Sequence, residues 1–433
     1  MVSHQVARVE MWGQTVGALA YQPESGLCAF EYDPSWIRTG IEISPIRLPL
    51  SGRIYQFPAL PRPTYRGLPG AFADTLPDDF GNAVIDAWLA RTGRARDSFT
   101  ALERLLYTGS RGMGALEYAP AIDRSLNMVS VLELDSLVAM AQSVLDQRRQ
   151  LDQRLQGADT EALSAIFQVG TSAGGARAKA VIGINASRTE IRSGQVALPA
   201  GFEHYLLKFD GVIERAQGRE TFGDPQGFGR MEYAYYLMAK AAGIQISPCE
   251  LLLEGERAHF MTKRFDRDGN QKVHYQSLCA MDHADYKTPG SYSYEQLFSL
   301  MRTLRLSKTQ ALELYRRMVF NILARNQDDH TKNFGFLLNA QKRWELAPAF
   351  DVAFSYKPGS PWVNAHQLSL NGKRDDFTLQ DLLSPAASFL KEARQIIEEV
   401  QTIVAQWPRY AQEAGVAPEF ARHIQQCHRL QLS

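Results

Sequence analysis

The pattern of hydrophobic and polar positions divides the chain into a mixed front part and a helical back part. Short runs of alternating character near the start, such as VEMWGQTVGALAY and LCAFEYDPSW, predict β-strands. Three later runs, AKAVIGIN, HYLLKF and ERAHFMTKRF, predict further strands. The segment RMEYAYYLMAKAAGI lies between the last two of them and predicts a helix that ends at Gly243. The front part is therefore expected to be mixed α/β.

The back part shows helical spacing from about residue 290 onward. Ser307 and Gln310 together are typical of a capping box at the start of a helix. One apolar stripe follows, formed by Ala311, Leu314, Tyr315, Met318, Ile322 and Leu323. A later amphipathic helix is predicted to stop at Pro408. The boundary is placed near Phe265, and polar constellations on both sides of it predict a cleft between two lobes.

Composition narrows the class of protein. The formal net charge is +0, so no overall field favours nucleic acid or an anionic membrane. The four cysteines are scattered without a CxxC pair, which disfavours a zinc ribbon and fits free thiols in a reducing cytosol. No segment has the roughly 20 apolar residues of a membrane helix. The sequence predicts a soluble, cytoplasmic protein with no direct nucleic-acid or membrane role.

The stretch NILARNQDDHTKNFGF ends an apolar helical run in a cluster of polar groups. Protein kinases space the carboxylate that accepts the substrate proton and a metal-binding asparagine as D-x-x-x-x-N. Asp328 and Asn333 have this spacing, whereas Asp329 is one residue too close. The alternative is a polar loop with an Asx turn. His330 is expected to pack the loop, because no second His or Cys lies at ligand spacing.

A second metal-binding carboxylate is expected downstream, after a short pair of strands. The segments FGFLLN and KRWELAPAFDVAFSY supply the strands, and Asp351 follows them. Mg²⁺ prefers oxygen ligands and takes only a few of them from a protein, so one Asn carbonyl and one carboxylate suffice. Asn333 and Asp351 are therefore the predicted metal ligands.

The stretch VGTSAGGARAKA predicts a phosphate-binding loop that leads into a strand. Its small residues, including Gly174 and Gly175, would let backbone N–H groups approach an anion. It is not a Walker A loop, because Ala176 stands where that motif needs Lys. Arg177 and Lys179 could reach the anion from the following strand. The alternative is a glycine-rich surface turn.

Three further positions complete a predicted nucleotide site. Lys208 in HYLLKFDG lies on a strand after the glycine-rich loop, where kinases place the lysine that contacts ATP phosphates. Glu232 on the next helix is its candidate partner. Backbone groups from Met261 to Lys263 could bind the adenine edge. The alternative for Lys208 is a solvent-facing lysine on an edge strand. The alternative for Glu232 is a first-turn glutamate favoured by the helix dipole, and for Met261 to Lys263 it is an ordinary strand.

Taken in order, these segments resemble the HipA family of toxin serine/threonine kinases over nearly the whole chain. The matching segments are LPGAFADTLPDDFG, GSRGMGALEYAP, GTSAGGARAKA, LLKF, KRFDR, NQDDHTKNF, LAPAFDVAFSY and HQLSLNGK. The resemblance implies an α/β (α+β) protein-kinase-like fold with two lobes, in which the N-terminal lobe is β-rich and carries an extra subdomain and the C-terminal lobe is all helical. The corresponding ranges are 1–125 for the extra subdomain, 126–264 for the N-lobe core and 265–433 for the C-lobe.

The resemblance also implies chemistry and partners. It implies ATP and Mg²⁺, with Asp328 as base, Asn333 and Asp351 as metal ligands and Lys208 on the ATP phosphates. It suggests that Ser172 is an autophosphorylation site, whose added charge of about −2 would repel ATP phosphates. Family toxins phosphorylate a protein of translation, typically an aminoacyl-tRNA synthetase, and a small helix-turn-helix antitoxin of the HipB kind neutralises them.

Three alternative functions stay open on the sequence. A small-molecule kinase of the aminoglycoside-phosphotransferase kind uses a similar base and metal set. A non-catalytic member would bind a partner without turning over ATP. A metal-dependent hydrolase could use Asp328, Asp329 and His330, but it would leave Lys208 and the glycine-rich loop unexplained.

Overall fold

The computed structural model describes residues 5–77, 79–91, 99–121, 131–147, 177–216, 219–223 and 226–432. The chain forms two compact units. The first consists of Met1–Gly229 and Leu251–Tyr275, and the second of Arg230–Glu250 and Gln276–Ser433. These units contain both sheets and helices, which confirms the predicted α+β class. The three-part division at residues 125 and 264 stays a prediction.

The first unit begins with a four-stranded antiparallel sheet in the order β3-β2-β1-β4. Its strands are β1 (Val6–Met11), β2 (Gln14–Gln22), β3 (Leu27–Tyr32) and β4 (Leu116–Ala119). The last strand, which follows the glycine-rich GSRGMG stretch, pairs with β1 from Arg8↔Ala119 to Met11↔Leu116. The pairing of β1 with β4 thus places residues 8–11 beside residues 116–119 in one sheet.

The helices of the first unit are short until the fourth. They are α1 (Pro34–Ile37), α2 (Arg62–Tyr65), α3 (Gly70–Ala73), α4 (Asp79–Arg91), α5 (Ala101–Thr108) and α6 (Leu134–Gln147). The Pro- and Gly-containing segment LPGAFADTLPDDFG includes the short α3 and the start of the longer α4. A capping box of Thr100 and Glu103 starts α5.

A six-stranded sheet in the order β11-β12-β8-β6-β7-β5 follows, while β9 with β10 and β13 with β14 form separate two-stranded sheets. The strands from β5 onward are β5 (Val131–Leu132), β6 (Lys179–Asn185), β7 (Ile191–Ser193), β8 (Phe202–Lys208), β9 (Ile213–Ala216), β10 (Arg219–Gly223), β11 (Cys249–Glu254) and β12 (Arg257–Lys263). The three runs predicted as strands are β6, β8 and β12, which lie side by side. Short strands β13 (Arg267–Asp268), β14 (Gln271–Lys272) and β15 (His274–Ser277) follow.

The second unit is mainly helical. Its helices are α7 (Phe228–Ala241, in this unit from Arg230), α8 (Leu278–Asp282), α9 (Tyr294–Thr303), α10 (Lys308–Leu323), α11 (Leu379–Leu383), α12 (Leu390–Val404), α13 (Trp407–Ala414) and α14 (Pro418–Cys427), with a 3₁₀ turn at Ser384–Ala386. The predicted short strand pair is present as the antiparallel hairpin of β16 (Gly335–Leu338) and β17 (Trp344–Leu346). Among the described residues, no helix combines the length and the apolar character needed to cross a bilayer.

Two local predictions in this unit need correction. The Ser307 hydroxyl accepts from the Gln310 N–H at 3.3 Å, but the reciprocal half of the predicted capping box is missing. The Gln310 side-chain oxygen accepts instead from the Leu346 N–H of the hairpin, at 3.2 Å. Pro408 does not stop the preceding helix, which ends at Val404. It lies in the first turn of α13, where its missing N–H has no helical partner to lose.

Candidate active site

The predicted catalytic loop follows helix α10 directly. The helix is capped at Ala324, and Arg325 then turns the chain with a left-handed φ of 56°. Asp328 lies three residues further on, with its side chain 30% exposed. The indole N–H of Trp362 donates to Asp328 Oδ1 at 2.6 Å. The predicted base is thus accessible, and a hydrogen bond orients its carboxylate.

The spacing of Asp328 and Asn333 corresponds to a closed loop. The Asn333 side-chain N–H donates to the backbone carbonyl of Asp328 at 2.7 Å, and its backbone N–H donates to the His330 carbonyl at 2.8 Å. An amide binds a cation through its oxygen, and the hydrogen bond from the amide nitrogen fixes the direction in which Asn333 Oδ1 points. The five-residue spacing between Asp328 and Asn333 is therefore the one that lets the Asn333 side chain close the loop on the Asp328 backbone.

Asn333 and Asp351 line the same pocket of the second unit. The pocket is lined by Ile244, Arg317, Phe320, Asn321, Asn326, Asp329, Asn333, Phe334, Ala349, Phe350, Asp351 and Val352. Asp351 has a φ of 54°, a left-handed conformation that is uncommon for residues other than glycine and that clusters at functional sites. The two predicted metal ligands, an amide oxygen and a carboxylate, are the oxygen donors that suit Mg²⁺.

Asp329 has a role that the sequence did not indicate. Its side chain is fully buried and accepts three hydrogen bonds, from Tyr294 Oη–H at 2.7 Å, His366 Nδ1–H at 2.9 Å and the Gln367 N–H at 2.7 Å. Burial alone would raise the pKa of Asp329, but His366 and the other two donors outweigh it and hold the pKa below its usual range. Asp329 is therefore an ionised anchor under the loop.

This anchor extends into a buried polar network. Asn321 donates to the Tyr294 oxygen at 3.2 Å, and Asn326 donates to the Asn321 oxygen at 2.9 Å. The tyrosine therefore links helix α9 to the carboxylate beneath the catalytic loop. The sequence contained two hints of this network, the second aspartate of NQDDH and the later HQLSLNGK segment. The donors Tyr294 and His366 lie 35 and 37 residues from Asp329 along the chain.

The hydrolase alternative loses its basis in this arrangement. It needed Asp329 beside Asp328 and His330, but the Asp329 carboxylate faces Tyr294 and His366. His330 packs its ring against Tyr286 and Trp362, with centroids 5.4 and 6.0 Å away. Among the described residues, no cluster of three or more His, Cys, Asp or Glu side chains could hold a metal ion.

Lys208 and Lys179 form the described part of the predicted nucleotide site in the first unit. Lys208 ends β8 and Lys179 begins β6, and the two residues are directly opposite each other in the antiparallel pair. The residues are 8% and 2% exposed, respectively. Side chains directly opposite in a sheet share one face, so two cations are held together here. The edge-strand alternative for Lys208 is wrong, because β8 lies between β6 and β12.

The remaining predicted residues are less informative. Met261 is buried and pairs with Leu207. The Lys263 ammonium forms an ion pair with Glu203, and this bond lowers the pKa of Glu203 despite partial desolvation. Glu232 is buried in α7 and belongs to the second unit, whereas Lys208 belongs to the first, so their pairing stays a prediction. Ser172, Gly174 and Gly175, with most of the predicted phosphate loop, lie outside the described residues.

The KRFDR segment forms a buried ionic cluster that the sequence did not predict. Asp266 accepts from Arg264 Nε and Nη2 at 2.8 and 2.6 Å, from Arg267 Nη1 at 2.7 Å and from the Gly114 N–H at 2.7 Å. Arg267 also donates to the Gly112 carbonyl at 3.1 Å. Within the first unit, this cluster ties the GSRGMG stretch to the end of the six-stranded sheet.

Comparisons with known proteins agree with this architecture. A chain in the solved complex of the Shewanella oneidensis MR-1 toxin–antitoxin system HipA, HipB and its operator DNA has a similar fold. Its TM-score is 0.65 at 15% identity, over 97% of this chain and 95% of that chain. At 15% identity, this similarity shows that the two chains share a fold.

Two curated relatives match shorter stretches. A protein of Sinorhizobium fredii (strain NBRC 101917 / NGR234) named "Putative kinase Y4mE" is 27% identical over 125 residues, which is 27% of this chain and 30% of that protein. A protein of Haemophilus influenzae (strain ATCC 51907 / DSM 11121 / KW20 / Rd) named "Putative kinase" is 33% identical over 154 residues, 32% of this chain and 44% of that protein. The chain thus spans less than half the length of each.

Two family models match successive parts of the chain. The HipA N-terminal domain matches residues 7–119, the part that β1 and β4 close into one sheet. The HipA-like C-terminal domain matches residues 171–407, more than half of the chain, including both lysines and the whole predicted catalytic loop. On these matches, the chain belongs to the HipA family.

Proposed function

We propose that this protein is an ATP- and Mg²⁺-dependent kinase that transfers the γ-phosphoryl group to a serine or threonine hydroxyl of another protein. The observation that carries this proposal is the catalytic loop itself. Asn333 is hydrogen-bonded to the backbone of Asp328 and lines one pocket together with Asp351. This is the set of groups that phosphoryl transfer to a hydroxyl needs from a protein.

Each group has one task in the proposed reaction. The Asp328 carboxylate orients the acceptor hydroxyl and takes its proton. Asn333 Oδ1 and the Asp351 carboxylate would hold Mg²⁺, which supplies neutralisation of phosphate charge when bound. Because Asn333 is bonded to the same loop that carries Asp328, the position of the cation is coupled to the position of the base. The buried Asp329 anchor supports both.

Lys179 and Lys208 are proposed to bind the ATP phosphates. The two residues are directly opposite each other in the β6–β8 pair, so both ammonium groups could donate to the phosphate oxygens of one nucleotide. Replacing Lys208 by Met is expected to weaken nucleotide binding roughly 10- to 100-fold, the effect of losing a hydrogen bond to a charged group. Titration calorimetry with a non-hydrolysable ATP analogue measures this effect. Lys240→Met, on an exposed position of α7, is the matched control and should bind as the wild type does.

Asn333→Ala is expected to raise the Mg²⁺ concentration needed for half-maximal transfer by about tenfold or more, because one of two protein ligands is lost. Initial rates over a series of Mg²⁺ concentrations at fixed ATP measure this shift. EDTA should abolish transfer by the wild type, and added Mg²⁺ should restore it. An unchanged Mg²⁺ dependence in the variant would remove Asn333 from the metal site.

The proposed function is tested by offering labelled ATP and Mg²⁺ to the protein in a bacterial lysate. Label on a lysate protein would support the kinase and identify its substrate, while label on Ser172 alone would support an active kinase whose substrate is missing. No label from protein that binds ATP and is unmodified at Ser172 would favour the non-catalytic alternative.

Family membership supports three further proposals. The substrate is proposed to be a protein of translation, such as an aminoacyl-tRNA synthetase. A HipB-like helix-turn-helix antitoxin is the proposed partner, by analogy with the complex of HipA, HipB and operator DNA from Shewanella oneidensis. Ser172 is proposed as an autophosphorylation site, whose phosphate would compete with ATP for Lys179 and Lys208.

A further inference from the structure

Trp362 makes a contact that the catalytic assignment leaves unexplained. Its indole N–H donates to Asp328 Oδ1 at 2.6 Å. Hydrogen bonds to an ionised carboxylate are short and about twice as strong as neutral ones. The ring also packs on His330, whose centroid is 6.0 Å away. The proposed base is therefore held from a second segment of the chain.

That segment is a loop, Ser355 to Gln367, whose two ends are fastened to the catalytic loop. At one end, the Ser355 N–H donates to the Arg325 carbonyl at 3.0 Å, and the Gln327 N–H donates to the Ser355 carbonyl at 3.2 Å. At the other end, the Gln367 N–H donates to Asp329 Oδ1 at 2.7 Å. The Arg325–Asp329 stretch thus carries both ends of the loop on which Trp362 lies.

The position of the indole is also fixed within the loop. The Gln367 side-chain amide donates to the Trp362 carbonyl. His366 and Gln367 are buried, while Lys357, Pro358 and Gly359 are exposed. The loop therefore has one buried, hydrogen-bonded end that holds the tryptophan and an exposed tip. The Asp329 anchor serves two purposes here, because it lies under the proposed catalytic loop and also binds Gln367, whose side chain donates to the Trp362 carbonyl.

We propose that Trp362 is a positioning residue for phosphate transfer, which holds Oδ1 of Asp328 and thereby assigns proton acceptance to Oδ2. This inference rests on the proposed kinase function. A carboxylate on a single-bonded side chain rotates readily, and both of its oxygens can accept a proton. A donor fixed on Oδ1 removes that freedom before the acceptor hydroxyl arrives, which is how oriented groups gain rate.

The first test separates the donor from the ring. Trp362→Phe removes the N–H and part of the ring, whereas replacement by β-(3-benzothienyl)alanine keeps the shape and removes only the N–H. Both are expected to lower kcat for transfer about tenfold and to leave KM for ATP unchanged. Trp12→Phe is the matched control, because the Trp12 indole N–H also donates to an oxygen, the Lys272 carbonyl at 2.8 Å, but lies in the first unit.

The second test asks whether Trp362 acts through Asp328. In an Asp328→Asn background, adding Trp362→Phe should change the residual rate by less than about twofold, because residues that act as one unit are not additive. A further tenfold loss in the double variant would assign Trp362 a role separate from Asp328 and overturn the proposal.

The third test does not depend on activity. In protein labelled with ¹⁵N at the indole nitrogens, the Trp362 signal is identified by its loss in Trp362→Phe. Asp328→Asn should shift that signal and leave the Trp12 signal in place. An unshifted Trp362 signal, or full kcat in the benzothienyl protein, would overturn the proposal. A wild type that transfers no phosphate would overturn the proposed function and the positioning role with it, while the indole signal would still report the contact.

Discussion

Asp328→Asn is expected to reduce phosphate transfer by about 10²- to 10⁴-fold, the usual contribution of a positioned general base. Asparagine keeps the size of the side chain, and its oxygen can still accept the Trp362 indole N–H that bonds Asp328 Oδ1. The variant therefore removes the charge and the proton-accepting ability without removing the contact. Initial rates of transfer from labelled ATP at saturating nucleotide and Mg²⁺ measure the effect.

The control is Asp268→Asn, which makes the same change at an exposed aspartate of the first unit. It should transfer phosphate as the wild type does. Nucleotide affinity should be retained in Asp328→Asn, since Lys179 and Lys208 are untouched. Activity within about threefold of the wild type would assign proton acceptance to another group, and lost nucleotide binding would mean that the substitution disturbs the fold.

Asp266→Asn is expected to destabilise the first unit by about 3–5 kcal/mol, the usual result of removing one partner from a buried ionic group. Asp266 is fully buried and is the shared partner of Arg264 and Arg267. Burial alone would raise the pKa of Asp266, but the two guanidinium groups and the Gly114 N–H outweigh it and hold the pKa below its usual range. Without this carboxylate, two buried cations would face each other.

This loss of stability is measured by unfolding the protein in urea and monitoring hydrogen exchange by mass spectrometry in peptides from Leu251–Tyr275. Asp268→Asn again serves as the control, because it lies two residues away in the same hairpin and is exposed. Its unfolding midpoint should match that of the wild type. If Asp266→Asn also unfolds at the wild-type midpoint, the cluster contributes no net stability.

The sequence predicted the fold well where each element carries its own local signal. Strands β6, β8 and β12 alternate or are continuously apolar, and α10 shows a clear stripe, so these elements could be located without partners in view. The capping box at Ser307 shows the limit. Its local half formed, but the Gln310 side chain found the hairpin at Leu346, because a tertiary donor competed with the local one.

The candidate site could be predicted from the sequence only where its residues lie close together along the chain. The five-residue interval from Asp328 to Asn333 closes one loop and can be recognised in the sequence. The role of Asp329 depends on donors far along the chain, Tyr294 and His366, which lie 35 and 37 residues away. Asp266 has two partners close in sequence, Arg264 and Arg267, but its third donor, the Gly114 N–H, lies 152 residues away. Trp362 was missed for the same reason, since its loop carries turn residues but no catalytic pattern.

The interleaving of the two units has a consequence for synthesis of the protein. Helix α7 belongs to the second unit from Arg230 on, and its Met231 sulfur accepts the N–H of Phe354, 123 residues later. At roughly 5–20 residues per second, about 6–25 s separate these two residues on the ribosome. An isolated helix of 14 residues is marginal in water. The apolar face of α7 is therefore expected to lack its later partners from the second unit during that interval, and the second unit is expected to complete its folding late.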